Sequence, residues 1–269
     1  MATNWLGKIR CAVMLTFDVD GVSSRLHSNP NFAKFPSLMS MLEFGPSVAT
    51  PRILELLDSY DIKGSFFIPG YIVETHEELV QKIVSHGHEL GHHGYMHEPP
   101  STMDKQQEED VLDQGIEILK QITGHAPKGY RSPSFELSEH SLSLLASRDF
   151  LYDSSLMGDD SPYTLDAGSK QLVEIPVHWS LDDGAYWNFI PAENHRFPPM
   201  SPEFVYNAWS EAFLEIYERG GAFCLTLHPQ RIGRPGRLRM LERLVRKMRS
   251  YPGVAFMRCS EVADLWKGK

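Results

Sequence analysis

The run Cys11-Ala-Val-Met-Leu-Thr-Phe-Asp-Val-Asp-Gly21 is almost continuously apolar over residues 11–17 and then stops on two carboxylates. Apolar side chains on both faces of a short run mark a strand buried on both sides, as in a parallel sheet covered by helices. Working outward, further short strand-like stretches stand at 65–68, 89–91, 129–133, 150–152, 172–177, 222–227 and 254–257. Between them lie stretches with helical spacing, opened by Pro51 and covering 77–86, 104–123, 202–218 and 237–250, with others from Ser138 and over 260–266. Strand and helix alternate about seven times, which predicts parallel strands with right-handed crossovers, closed or nearly closed into an α/β barrel. Residues 21–47 and 182–200 lack a clear period, and the sequence predicts two long loops there.

Composition bounds the function. The chain has 269 residues, 42% hydrophobic and 23% charged, enough for a substantial core and for a single catalytic domain over 1–269. A net charge of −9 argues against nucleic acid or an anionic membrane surface as partner. Residues 231–249 are basic, but their charges alternate with Leu, Met and Val, which reads as a solvated helix face. Cys11, Cys224 and Cys259 are scattered and predict buried free thiols in a reducing compartment. No leader-like segment precedes Asp18 and no run reaches membrane-spanning length, so the expected location is cytoplasmic.

The chemistry concentrates in Gly87-His-Glu-Leu-Gly-His-His-Gly-Tyr-Met-His-Glu98, which holds four of the twelve histidines. His93 and His97 stand four apart; in a helical turn that spacing would put both imidazoles on one side, although Gly87, Gly91 and Gly94 suggest a tight turn instead. Two imidazoles need a third ligand, often a carboxylate, to hold a zinc-like ion, and Asp18 and Asp20 are the candidates. Further polar residues follow other apolar runs directly: Arg131, and His228 after 222–227. In α/β barrels the working side chains gather where strands end, so these residues are expected on one rim. Trp179, Tyr186, Trp187 and Phe189 are candidates for a substrate pocket, and His88 and His92 for structural roles.

Taken in order, these motifs resemble the polysaccharide deacetylase (nodulation-deacetylase homology) family, and within it the branch containing peptidoglycan deacetylases, a cofactor-free allantoinase and cyclic imide hydrolases. The resemblance implies a distorted (β/α)7-type barrel of mainly parallel strands with its active site at their C-terminal ends. It also implies one divalent ion, expected to be zinc. Matched residue by residue, Thr-Phe-Asp18-Val-Asp20-Gly resembles the motif that supplies base and metal ligand, with Asp20 as ligand and Asp18 as base. His93-Gly-Tyr-Met-His97 is similar to the motif that supplies two imidazole ligands. Arg131-Ser-Pro133 resembles the motif whose arginine steadies the base, and Leu225-Thr-Leu-His228-Pro the one whose histidine is the general acid. Ser180-Leu-Asp-Asp-Gly184 stands where an acid tunes that histidine; Asp183 is the candidate, with Asp182 left open beside it. Three positions depart from the usual pattern: the acids are separated by Val19, Gly94 replaces a common Ser or Thr, and Gly184 a common Trp.

The resemblance implies an enzyme that opens a small cyclic imide, amide or ureide, with de-N-acetylation of an N-acetylglucosamine-containing glycan such as peptidoglycan as the alternative. A non-catalytic metal-binding protein is the third reading, and it should have lost Asp18 or His228. The expected partner is a small-molecule amide, imide or amino sugar. A homo-oligomer is expected, with residues 21–47 facing a second subunit.

Overall fold

The computed structural model describes residues 5–168, 170–190 and 198–268. Among the described residues nine strands form one sheet: β1 Cys11–Asp18, β2 Ser65–Ile68, β3 Glu89–His92, β4 Gly129–Tyr130, β5 Tyr152–Asp153, β6 Tyr163–Asp166, β7 Gln171–Glu174, β8 Gly221–Leu227 and β9 Val254–Phe256. Their order is β6-β7-β5-β4-β3-β2-β1-β8, with β9 paired to the start of β1. All pairings are parallel except β6 with β7. One isolated parallel bridge, Asp182 to Thr226, joins the chain beyond β7 to β8 and brings the curved sheet round toward a barrel. This is the distorted barrel the sequence predicts.

Every residue of β1 is buried, as its unbroken apolar character requires. One edge of β1 runs in register with β8 from Cys11 to Phe17. Its other partners divide its length, β9 at Cys11–Val13 and β2 at Thr16–Asp18. Phe17 stacks on Phe66 with ring centroids 4.8 Å apart, a contact of about 1 kcal/mol beyond the area it buries. Outside the sheet, helices Thr50–Ser59, Glu77–Ser85, Lys105–Thr123, Pro202–Arg219 and Pro235–Arg249 bring their apolar faces against it. Lys105–Thr123 begins with a capping box between Asp104 and Gln107 and ends at Gly124, which takes the left-handed conformation that glycine adopts without steric cost. Among the described residues no helix is long and apolar enough to cross a membrane.

Three expectations need correction. Residues 21–47 are largely helical: Ser23–Ser28, a 3₁₀ turn at Pro30–Lys34, Pro36–Phe44 and a π turn at Gly45–Ala49. Pro30, Pro36 and Pro46 each sit in the first turn of such a piece, where their missing N–H costs nothing. The second stretch, 182–200, contains a short helix at Gly184–Trp187, and its residues 191–197 lie outside the described ones. The helix expected from Ser138 starts at Ser141, because the hydroxyls of Ser138 and Ser141 instead bond the buried carboxylate of Glu108.

Candidate active site

The strand ends deliver the predicted side chains to one cavity of about 270 Å³, lined by Asp18, Asp20, His93, His97, Trp179 and His228 among others. Nε2 of His93 lies 3.6 Å and Nε2 of His97 lies 3.7 Å from the same atom, Oδ1 of Asp20. The three ligating atoms fall within 4.8 Å of one another. Oδ1 of Asp20 is buried and makes no hydrogen bond among the described residues. A carboxylate oxygen stranded this way is costly unless a cation completes it, and the donor set suits a divalent ion of the zinc class. The tautomer of His93 also fits: its Nδ1–H donates to the Arg131 carbonyl at 2.8 Å, which leaves the Nε2 lone pair facing Asp20. Burial draws the Asp20 pKa upward, but His97, His93 and His228 outweigh it and hold the carboxyl well below the usual carboxylate range.

His93 and His97 are not on a helix. β3 ends at His92, and the chain then turns through Gly94 at φ +73° and His97 at φ +66°. A non-glycine residue in the left-handed region costs about 1–3 kcal/mol and persists only where its surroundings impose it. Here the carboxylate of Glu98 accepts the backbone N–H groups of Tyr95 (2.9 Å) and Met96 (2.8 Å), and Nδ1 of His92 accepts that of Gly94 (3.1 Å).

Arg131 is fully buried beneath this turn. Nη1 donates to Asp18 Oδ1 at 2.8 Å and Thr16 Oγ1 at 2.7 Å, while Nε and Nη2 bond the carbonyl and hydroxyl of Ser154. Its guanidinium lies 4.1 Å over the Phe67 ring. Asp18 is thereby fixed at the cavity wall. Across the cavity, Nδ1 of His228 is 2.7 Å from Asp183 Oδ1, and its backbone N–H donates to Asp183 Oδ2 at 3.0 Å. The closing bridge explains the pairing, since Asp183 N–H bonds the Thr226 carbonyl two residues before His228. Asp182 lies farther from Nδ1, at 3.6 Å, and accepts Gly184 N–H instead. Burial and Arg231 disfavour the His228 imidazolium, yet Asp182 and Asp183 overcome both and push its pKa up to about 9. Burial likewise raises Asp182, to about 6.

A peptidoglycan deacetylase of Helicobacter pylori is 34% identical over 92% of this chain and 93% of its own length. Residues 31–152 match the family model described as polysaccharide deacetylase. The chain belongs to the polysaccharide deacetylase family. A crystal structure of a candidate polysaccharide deacetylase from Mycobacterium smegmatis superposes with a TM-score of 0.95 at 38% identity, covering 99% of this chain and 93% of that one. Puue allantoinase shares the fold at a TM-score of 0.86 and 24% identity, with 99% and 93% covered.

All seven predicted site residues of this polysaccharide deacetylase family member meet in space: Asp18, Asp20, His93, His97, Arg131, Asp183 and His228. Of the aromatic candidates, Trp179 lines this cavity, Trp187 and Phe189 line the adjoining one, and Tyr186 packs on Trp209. His88 and His92 stand outside this cavity: Nδ1 of His88 accepts the Gly64 N–H at 3.0 Å, and Nδ1 of His92 supports the ligand turn through Gly94. Sequence reasoning passed over three common polar residues: Glu98, which holds the backbone of its own turn, and Thr16 and Ser154, whose contacts with Arg131 are distant in sequence.

Proposed function

We propose that this chain is a metal-dependent hydrolase of non-peptide C–N bonds, with Asp20, His93 and His97 holding the ion. The observation that carries the reading is the buried Oδ1 of Asp20, which makes no hydrogen bond among the described residues and lies within 3.7 Å of two imidazole nitrogens, with Asp18 and His228 lining the same cavity. An ion held there would supply Lewis acidity, making water a stronger nucleophile at neutral pH and a carbonyl more electrophilic. Asp18, steadied by Arg131, takes the proton of the attacking water as the new C–O bond forms. His228, kept protonated by Asp183, donates from Nε2 to the departing nitrogen as the C–N bond breaks. One water is consumed, and the products are a carboxylic acid and an amine or amide.

The preferred substrate is a small cyclic imide, amide or ureide. Ser24 and Arg25 of the helical segment 23–49 stand at the cavity, whose volume of about 270 Å³ has room for one small ring. The second reading is de-N-acetylation of an amino-sugar glycan, favoured by the match to the H. pylori peptidoglycan deacetylase along nearly its full length. Zinc-loaded protein should be assayed for ring-opening of succinimide and dihydrouracil beside acetate release from N-acetylglucosamine oligomers. Ring-opening alone supports the first reading and acetate release alone the second. Identical rates before and after chelator treatment would overturn the metal dependence of both.

A further inference from the structure

A second cavity of about 300 Å³ adjoins the first and shares with it Ser24, Arg25, Asn188 and Arg231. Its wall carries four guanidinium groups, those of Arg25, Arg231, Arg234 and Arg237, and no carboxylate among the described residues. The sequence reading of 231–249 as a solvated helix face is therefore wrong at its first three arginines. Arg234 lies 3.8 Å over the Phe44 ring, and Arg237 lies 4.6 Å over Trp187 while donating to the Arg231 carbonyl at 3.0 Å. Stacking fixes a guanidinium plane and leaves its edge donors available. Among the described residues neither Arg234 nor Arg237 has a carboxylate within ion-pairing distance. Arg231 lies at the junction of the two cavities, 3.7 Å from Asp183 Oδ1 and 3.5 Å from Asn188 Oδ1. Burial lowers the Arg237 pKa, and repulsion from Arg234 and Arg231 adds to it against the opposing pull of Asp183.

We propose that this arginine-lined cavity binds a carboxylate of the substrate, so that the enzyme acts on an anionic amide whose scissile bond reaches the neighbouring metal site. The inference rests on the hydrolase reading for its orientation, but the cavity's preference for a carboxylate can be measured without turnover. A planar two-oxygen anion matches the guanidinium edge in two parallel hydrogen bonds. Among the described residues, two stacked arginines beside a third that lies 3.7 Å from Asp183 bring more positive charge than the acids there neutralise.

The test has a catalytic and a binding arm. In the first, matched substrates with and without a carboxylate are compared: dihydroorotate against dihydrouracil, and N-acetylmuramic acid against N-acetylglucosamine. For whichever pair turns over, kcat/KM should favour the anionic member. That preference should fall by about tenfold in Arg234→Gln and in Arg237→Gln, the scale of one charge-assisted contact, and be partly restored in Arg234→Lys. In the second arm, glutarate and inorganic phosphate are titrated calorimetrically into the metal-loaded protein and both Gln variants, with melting temperatures confirming that the variants fold. Tighter binding of glutarate than of phosphate, weakened about tenfold in each variant, supports the proposal even if no tested substrate is hydrolysed, in which case only the hydrolase reading fails. Equal glutarate binding by wild type and both variants, tighter binding of phosphate, or a preference for the neutral substrates would overturn it.

Discussion

Asp18 and Arg131 form a fully enclosed ion pair, and its energetic coupling is measurable by replacing Asp18 with Asn and Arg131 with Met, singly and together. Their closest atoms are 2.8 Å apart, and neither side chain is more than 3% exposed. Charge centres about 4 Å apart attract by about 4 kcal/mol at an effective dielectric of 20. Removing one partner of such a pair costs about 3–5 kcal/mol, because the other is left buried and uncompensated. Arg131→Met belongs at the upper end, since it also frees Thr16 and both Ser154 acceptors. Asp18→Asn belongs at the lower end, since the guanidinium keeps those contacts and its place over Phe67. The double variant strands neither charge, so its loss should fall short of the summed single losses by about 3 kcal/mol. Urea unfolding followed by circular dichroism, on metal-loaded and chelator-treated protein, gives all four stabilities. Single losses that add to within about 0.5 kcal/mol would show two independent residues and refute the reasoning.

Other consequences follow from the same geometry. His93→Ala should lose both bound metal, read by elemental analysis, and turnover, whereas Asp18→Asn should keep the metal and lose turnover; equal metal loss in both would reverse the roles assigned to Asp18 and Asp20. His228 is raised to about 9, so its proton persists through neutral pH and wild-type activity should decline as pH passes about 9. Asp183→Asn should move that alkaline limb of the kcat/KM profile toward neutral pH, and an unmoved limb would dissociate the pair from catalysis. The stability contributed by the same pair is full below about pH 6.5 and fades as pH rises through about 9, the sign expected of a base held above its unfolded pKa. Gly115→Ala, within a helix where alanine is intrinsically better by about 1 kcal/mol, should instead destabilise by about 1–3 kcal/mol, because the added Cβ would lie 2.2 Å from Nε2 of His92. A raised melting temperature in that variant would mean that His92 moves aside freely.

The strands were legible because burial on both faces leaves an unbroken apolar run, and the rim followed because β1, β3 and β8 end close to acids or histidines. Residues 23–49 were not legible as helices, since proline breaks them into pieces mostly too short to establish a period. β6 was missed for a related reason: four residues, two half-buried alternating with two exposed, are too short a run to stand apart from a loop. Asp182 and Asp183 could not be separated by sequence, because adjacent carboxylates differ only in where the backbone aims them. The bridge from Asp182 to Thr226 makes that decision, and it is a tertiary event between segments far apart in the chain. The arginines mark a different failure. Helical periodicity was extended back to Arg231, whereas a four-residue helix ends at Ile232, the chain bends at Gly233, and the long helix begins at Pro235. Arg231 and Arg234 therefore precede the long helix and Arg237 lies in its first turn, where the break in the chain sets their direction. One four-residue helix separates that break from His228, so the same turn out of β8 sets His228 and the three arginines at adjoining cavities, the placement on which the proposed coupling of chemistry to substrate charge rests.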